Sequence, residues 1–524
     1  MQNINRIIIA SALAIMAQLT VMATERPKGV GCWRTVPKTH AATARMMSQE
    51  RVEAGERTHY VGVKHGLVIL AQFLDTKFQK ANDRTKYINI LNAEGYTTKE
   101  GFKGSVQDYF RAQSGGQFEL VFDVVGPFTA KYKAKNYGAN NSYGSDEQPE
   151  ALIVEMCNAA NSKVNFADYD WDGDGEVDEV FVVYAGKGEA DSGTEDLIWP
   201  HMWTFDEAGV KLELDGVKIN TYACSNELKG GGGINGIGTF CHEFSHCMGL
   251  PDFYDINYSG EFGMSEFDLM SGGSYAGGSF CPVGYTAYEK MMCGWQEPIV
   301  LANEDVSIDS LKPMNDQGDT YIIYNDGYPN EFYMIENRQQ KGWDKYYPAK
   351  GLLISHVDFD KQVWIDNIPN TIMTWEEARK KNLKTDNNHQ RMTLFHADND
   401  DDAAYWNPYG GYYNKSTLST DLYPYLENDS LTMTSVPAAT LFHNNALGQK
   451  FMRGAILDIR QNSDGTMAFH YRAPQQPDVD AIREVDTPTP AYKDIYTMDG
   501  RKVTTDWQSL PHGLYIVDGR KRIK

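Results

Sequence analysis

From about residue 61 onward, short apolar blocks alternate with polar, turn-rich stretches. "GLVILAQF" (Gly66–Phe73) is a continuous apolar run of strand length and predicts a buried strand. "SVQDYFRAQS" opens on an S-x-x-D capping signal and predicts a short helix. "FELVFDVV" reads as a second strand. "PEALIVEMCNAA" has apolar positions at helical spacing behind an initial proline, and "EVFVVYAG" returns to a buried strand. Strands and helices in alternation predict an α/β (α+β) domain over residues 61–299. Beyond it, "DTYIIYN", "EFYMIENR", "GLLISHVD" and "MAFHYR" all read as strands, and "TWEEARKK" is the main helical exception. Residues 300–472 are therefore expected to be β-rich. A proline- and acid-rich linker at 473–491 leads to a tail at 492–524, where two Asp-Gly hairpin signals predict a small β structure.

The N-terminus has a different pattern. Arg6, the apolar run that follows it and Val21-Met22-Ala23 make an export signal over residues 1–23, since the run is short for a membrane span and contains Gln18. Residues 24–60 lack a core pattern and read as a pro-segment or linker. No later stretch is apolar enough to cross a bilayer. The 524-residue chain carries a formal net charge of −22, which excludes the basic footprint that nucleic-acid binding needs. Seven cysteines are too few for a disulfide scaffold, and one or two bridges with a leftover thiol are expected.

Candidate chemistry concentrates in "GTFCHEFSHCMGLPDFYD". On a helix, His242 and His246 share a face and can reach one ion, and Glu243 lies beside the first as a general base for water. Gly249 suits a helix C-terminus and Pro251 keeps the helix from resuming, so the chain turns back and brings Asp252 toward the histidines as third ligand. Asp255 and Glu266 are competing carboxylates for that place. An anionic third ligand leaves less charge on the metal, which puts more of the deprotonation of water on Glu243. Cys241 and Cys247 point in different directions and are expected to pack. Met270, in a turn followed by glycines, is the candidate support beneath the metal. Tyr275 is a candidate oxyanion stabiliser, for which packing is the plainer role.

"DYDWDGDGEVDE" places Asp170, Asp172, Asp174, Glu176 and Asp178 around Gly175 in an EF-hand-like spacing that suits calcium. Phe181 stands where the twelfth-position glutamate would be, so the expected site is not an EF-hand. Asp398, Asp400, Asp401 and Asp402 form a second acidic cluster. "GGGING" fits G-x-G-x-x-G but precedes the histidine helix without a βαβ pattern, and is read as a loop beside the cleft. Cys32 could ligate the metal in a latent form. His201, between tryptophans, is expected to pack.

In the order of these motifs the chain resembles the immune inhibitor A-type secreted metalloproteases, a metzincin-like family. The resemblance runs from about Gly66 to Ile459 and adds "IWPHMW", "FDLMSGGS" and "AYEKMMCGW" to the segments above. It implies a zinc-dependent endopeptidase acting on protein or peptide substrates through metal-activated water. His242, His246 and the Asp252 position would be ligands, Glu243 the base, and calcium a structural ion. The tail resembles a short form of the C-terminal sorting modules of Bacteroidetes secreted proteins. A secreted or cell-surface protease is the expectation, and a secreted binding protein on the same scaffold is the alternative.

Overall fold

The computed structural model describes residues 60–141, 144–401 and 417–474, and in the tail 495–497, 501–503, 510–511, 514–517 and 520–523. The expected signal, the pro-segment to residue 59 with Cys32, Asp402 and the linker from residue 475 lie outside the described residues. Described residues up to Pro474 form one compact unit and those of the tail another.

A five-stranded sheet organises the first part of the larger unit. It is built from β1 (Gly62–Gln72), β2 (Phe118–Thr129), β3 (Val180–Lys187), β4 (His201–Thr204) and β5 (Thr221–Leu228), in the order β2-β1-β3-β5-β4. The first four in that order are parallel and β4 runs antiparallel to β5. Parallel strands need both faces covered, which is why β1 from Leu67 to Ala71 and β3 from Val180 to Ala185 carry a continuous buried run without a charged residue. Alternate residues serve opposite cores: Val68, Leu70, Phe181 and Val183 face one way, and Leu67, Ile69, Val182 and Tyr184 the other.

On the second face lies α2 (Pro149–Ala160), which follows α1 (Val106–Gln113) in the chain and starts with proline in its first turn. The expected S-x-x-D signal forms a capping box at α1, where Ser105 and Asp108 satisfy each other's backbone N–H. The first face carries α1 and α3 (Gly238–Cys247), the helix of the two histidines; Phe181 of β3 stacks on Phe240 at 3.8 Å. Phe181 is thus a core residue, which accounts for its place where an EF-hand would have glutamate. After α3 the chain runs through turns to α4 (Ala287–Met292).

Strands dominate from there: β6 (Ile299–Val300), β7 (Val306–Leu311), β8 (Tyr321–Tyr324), β9 (Glu331–Arg338), β10 (Gly351–Asp358), β11 (Met392–Leu394), β12 (Ala455–Gln461) and β13 (Met467–Arg472). They form two sheets, β11-β10-β9-β8-β6 and β7-β13-β12. The period of two divides β9 and β10 between cores. Tyr333, Ile335, Leu352 and Ile354 face the three-stranded sheet, whereas Phe332, Met334, Leu353 and Val357 join the core that holds Phe240 and Phe244. One core therefore runs across the 299/300 boundary. "TWEEARKK" yields the helix Trp375–Lys380, capped by Thr374 and Glu377.

In the tail, β14 (Ile495–Thr497), β15 (Lys502–Val503), β16 (Leu514–Val517) and β17 (Arg520–Ile523) pair antiparallel in the order β15-β14-β16-β17. No helix among the described residues is long and apolar enough to cross a membrane. The expected disulfides are absent among the described residues: Cys157, Cys224, Cys241, Cys247, Cys281 and Cys293 are buried free thiols. Each packs as a small apolar side chain in the core, where burial pushes the Cys157 thiol far up.

Candidate metal centre

Helix α3 is buried along its whole length, so its two histidines face protein. Gly249 takes a left-handed φ of +92° just beyond the helix, and its N–H donates to the His246 carbonyl at 2.8 Å. The turn brings Asp252 back under α3. His242 Nε2 and His246 Nε2 lie 3.2 Å apart, and Asp252 Oδ1 stands 3.2 Å from the first and 3.3 Å from the second.

Their hydrogen bonds decide what those atoms carry. His242 Nδ1 is 2.9 Å from the Leu269 carbonyl oxygen, and His246 Nδ1 is 2.7 Å from that of Leu250. A carbonyl only accepts, so each Nδ1 bears a proton, and in its neutral, metal-binding form each ring turns the Nε2 lone pair toward the other. Asp252 Oδ1 accepts no hydrogen bond. Three electron pairs thus converge in a space closed to solvent, an arrangement that repels itself unless a cation lies among them. Zinc at about 2.0–2.1 Å from tetrahedral ligands requires ligand-to-ligand separations of about 3.3 Å, which these three edges meet. The two carboxylates nearby attract any cation to this point, a proton included, which a metal ion would have to displace. Burial pulls the His242 imidazolium down, but Asp252 and Glu243 more than offset it and hold its pKa at about 9. Asp252 is raised by burial and lowered further by the two histidines, with a net shift below the usual carboxylate range.

Glu243, next to His242 on the helix, is wholly buried. Met270 is also wholly buried, and its backbone joins the two sides of the site. The Leu269 carbonyl accepts a hydrogen bond from His242 Nδ1, while the Met270 carbonyl accepts from the N–H of Phe253, one residue past Asp252. Tyr275 lines a cavity of about 220 Å³ together with Asp191, Asn226, Lys229 and Thr239, the last from the first turn of α3.

Residues 67–296 match the family model of the immune inhibitor A peptidase M6 catalytic domain. This M6-like segment contains the whole histidine and aspartate cluster. The chain is 26% identical over 277 residues to Immune inhibitor A of Bacillus thuringiensis subsp. alesti, covering 44% of this chain and 40% of that protein. It is 27% identical over 230 residues to the Pre-pro-metalloprotease PrtV of Vibrio cholerae serotype O1 (strain M66-2), covering 38% of this chain and 25% of the relative. The chain therefore spans less than half the length of the curated relatives it matches. The family match ends at residue 296, short of the Ile459 to which the motif order extends.

The other sequence candidates fall in different places. Asp255 is occupied within its own turn, accepting from the N–H groups of Asn257, Ser259 and Gly260 and from the Ser259 hydroxyl. Glu266 lies half-buried on a short turn of helix outside the cluster. Oxygens of Asp170, Asp172 and Asp174 come within 4.8 Å of one another. Glu176 instead pairs with Lys218 at 3.3 Å, and Asp178 accepts the Trp171 N–H at 2.5 Å. In the second acidic cluster, Asp398 accepts from the Thr420 hydroxyl and the Asp400 N–H. His201 is packed, its Nδ1 2.6 Å from the Trp199 carbonyl, and burial lowers its pKa to about 4.

Sequence reasoning did not find Asn367, which hydrogen-bonds Asp252 on both its amide atoms. It lies 115 residues from its partner, and no local spacing relates the two.

Proposed function

We propose that this chain is an exported zinc-dependent endopeptidase. The observation that carries the reading is the meeting of two Nε2 lone pairs and one carboxylate oxygen at 3.2–3.3 Å in a buried pocket. His242, His246 and Asp252 would hold the ion. Zinc there would supply a Lewis acid to polarise a peptide carbonyl and to acidify water.

The remaining chemistry belongs to the protein. Glu243, on the same helix as the ligands, takes a proton from the attacking water and delivers it to the departing amine. Leu269 and Leu250 hold the two imidazoles in the tautomer that turns Nε2 inward. Met270 supports the site through the backbone link to Phe253, in the manner of a metzincin methionine turn. We read Asp170, Asp172 and Asp174 as a calcium-binding brace, residues 1–23 as a cleaved export signal and 24–60 as a pro-segment. The tail is read as a sorting module.

Metal analysis and casein cleavage test this together. The processed protein is expected to hold about one zinc ion per chain and to lose activity to a zinc chelator. Glu243→Gln should retain the zinc and lose activity by about 10²–10⁴-fold, the usual contribution of a general base. Cleavage that survives both treatments would refute the mechanism. A zinc-loaded, inactive wild type would instead favour the binding-protein reading.

A further inference from the structure

A segment outside the M6-like match reaches into the metal site. Asn367 follows the short helix Lys361–Ile365, is 5% exposed, and holds a left-handed φ of +56°. Asparagine is among the few side chains that tolerate this conformation. Its Oδ1 accepts the Asp252 N–H at 2.7 Å, and its Nδ2 donates to Asp252 Oδ2 at 2.8 Å. These two bonds close a ring between one amide and one residue, which fixes the orientation of the amide, since only nitrogen can face a carboxylate oxygen as donor.

The ring has a chemical consequence. With Oδ2 engaged, Asp252 has Oδ1 left to present to His242 and His246, and the carboxyl plane cannot turn to offer both oxygens. Neighbouring residues bond the main chain beyond Asp252 and not the ligand itself: Asn370 Nδ2 donates to the Phe253 carbonyl at 2.8 Å, and Thr371 Oγ1 accepts from the Ile256 N–H at 2.9 Å.

We propose that Asn367 is the positioning residue of the third metal ligand, so that full zinc affinity requires a part of the chain beyond residue 296. This rests on the reading of His242, His246 and Asp252 as zinc ligands. Partners of metal ligands typically contribute about 10–100-fold to affinity.

The experiment measures zinc affinity of the full chain by competition with a chromophoric chelator, and records the absorption spectrum of the cobalt(II)-loaded protein. Asn367→Gly keeps the left-handed backbone and removes the amide. Asn367→Asp keeps the shape and the acceptor for the Asp252 N–H but loses the donor to Oδ2. Both are expected to weaken zinc binding by about 10–100-fold and to change the cobalt spectrum. Asn370→Ser, which releases Phe253 and the main chain of Arg391 and Met392 without touching Asp252, should leave affinity and spectrum as in wild type. Thermal melting of the metal-free proteins identifies any variant that fails to fold, and the near-isosteric Asn367→Asp then decides. Affinity within twofold of wild type and an unchanged spectrum in both Asn367 variants would overturn the inference while leaving the zinc reading intact. An equal loss in Asn370→Ser would reduce Asn367 to general loop support and overturn it too. A wild type that takes up no zinc or cobalt removes the reading of the site, and the inference with it.

Discussion

For three of the buried histidines a backbone carbonyl sets the ring's orientation, and the groups facing the other nitrogen set what it can do. His242 and His246 donate hydrogen bonds from Nδ1 to the carbonyls of Leu269 and Leu250 and keep Nε2 for the centre of the site. His201 also places Nδ1 against a carbonyl, that of Trp199, but its Nε2 lies 3.4 Å from the Tyr222 hydroxyl and faces no carboxylate. Burial therefore prevails there, and its pKa falls to about 4 from an ordinary 6.5. Between those two values the unfolded chain binds the proton and the native protein does not, so stability falls as pH falls. The contribution is complete above pH 6.5 and is lost on acidification through pH 4. At about 1.4 kcal/mol per pH unit it is worth about 3 kcal/mol. Urea unfolding of wild type and His201→Gln should show a stability difference that shrinks by about that amount between pH 7 and pH 4. A difference independent of pH would refute the assignment.

At the scale of elements, α3 owes its position to residues that its motif does not include. A Cβ on Gly238 would overlap the Ser274 carbonyl oxygen, and one on Gly236 would overlap that of Ser279. The glycines at the end of "GGGING" and at the start of the helix thus permit close approach of the 274–279 segment. They do not form a phosphate cradle. Gly231, earlier in the same loop, has open space around it. Gly238→Ala is expected to destabilise the protein by about 1–3 kcal/mol, as overpacking against backbone does. Gly231→Ala should stay within about 0.5 kcal/mol. Chemical denaturation distinguishes them, and equal effects would show that packing at Gly238 does not position the helix. Local signals did locate these elements: the capping box at Ser105, the proline that opens α2 and the left-handed Gly249 are all short-range. Which glycines were tight was not legible, because the segment that presses on them is remote in sequence.

Across the whole compact unit, the charged groups of β9 fasten the β-rich part to the histidine-bearing part. Arg338 is fully buried and pairs with Glu336 at 2.5 Å and Asp344 at 3.0 Å. It also donates to the carbonyls of Gly284 and Tyr285, just before α4. Glu336 in turn accepts the Ala287 N–H. Removing the cation would leave two buried carboxylates without it, so Arg338→Met should lower the unfolding free energy by about 3–5 kcal/mol. In wild type, with the network intact, both parts should unfold together in one denaturant transition monitored by tryptophan fluorescence and circular dichroism. Separate transitions, or a loss below about 1 kcal/mol, would show that the network does not join them.

Sequence alone determined whatever depends on short range. The period of the apolar runs specified strands and helices. The four-residue step put His242 and His246 on one face, and a glycine followed by a proline returned Asp252 to them. Tertiary structure decided the rest. It made Phe181 a core residue and left the described cysteines unbridged. It also brought Asn367 to Asp252 across 115 residues. The physical reason is common to these cases: a hydrogen bond or a packed contact between distant residues leaves no periodicity in the chain, and it exists only after the cores of β9 and β10 have closed on α3.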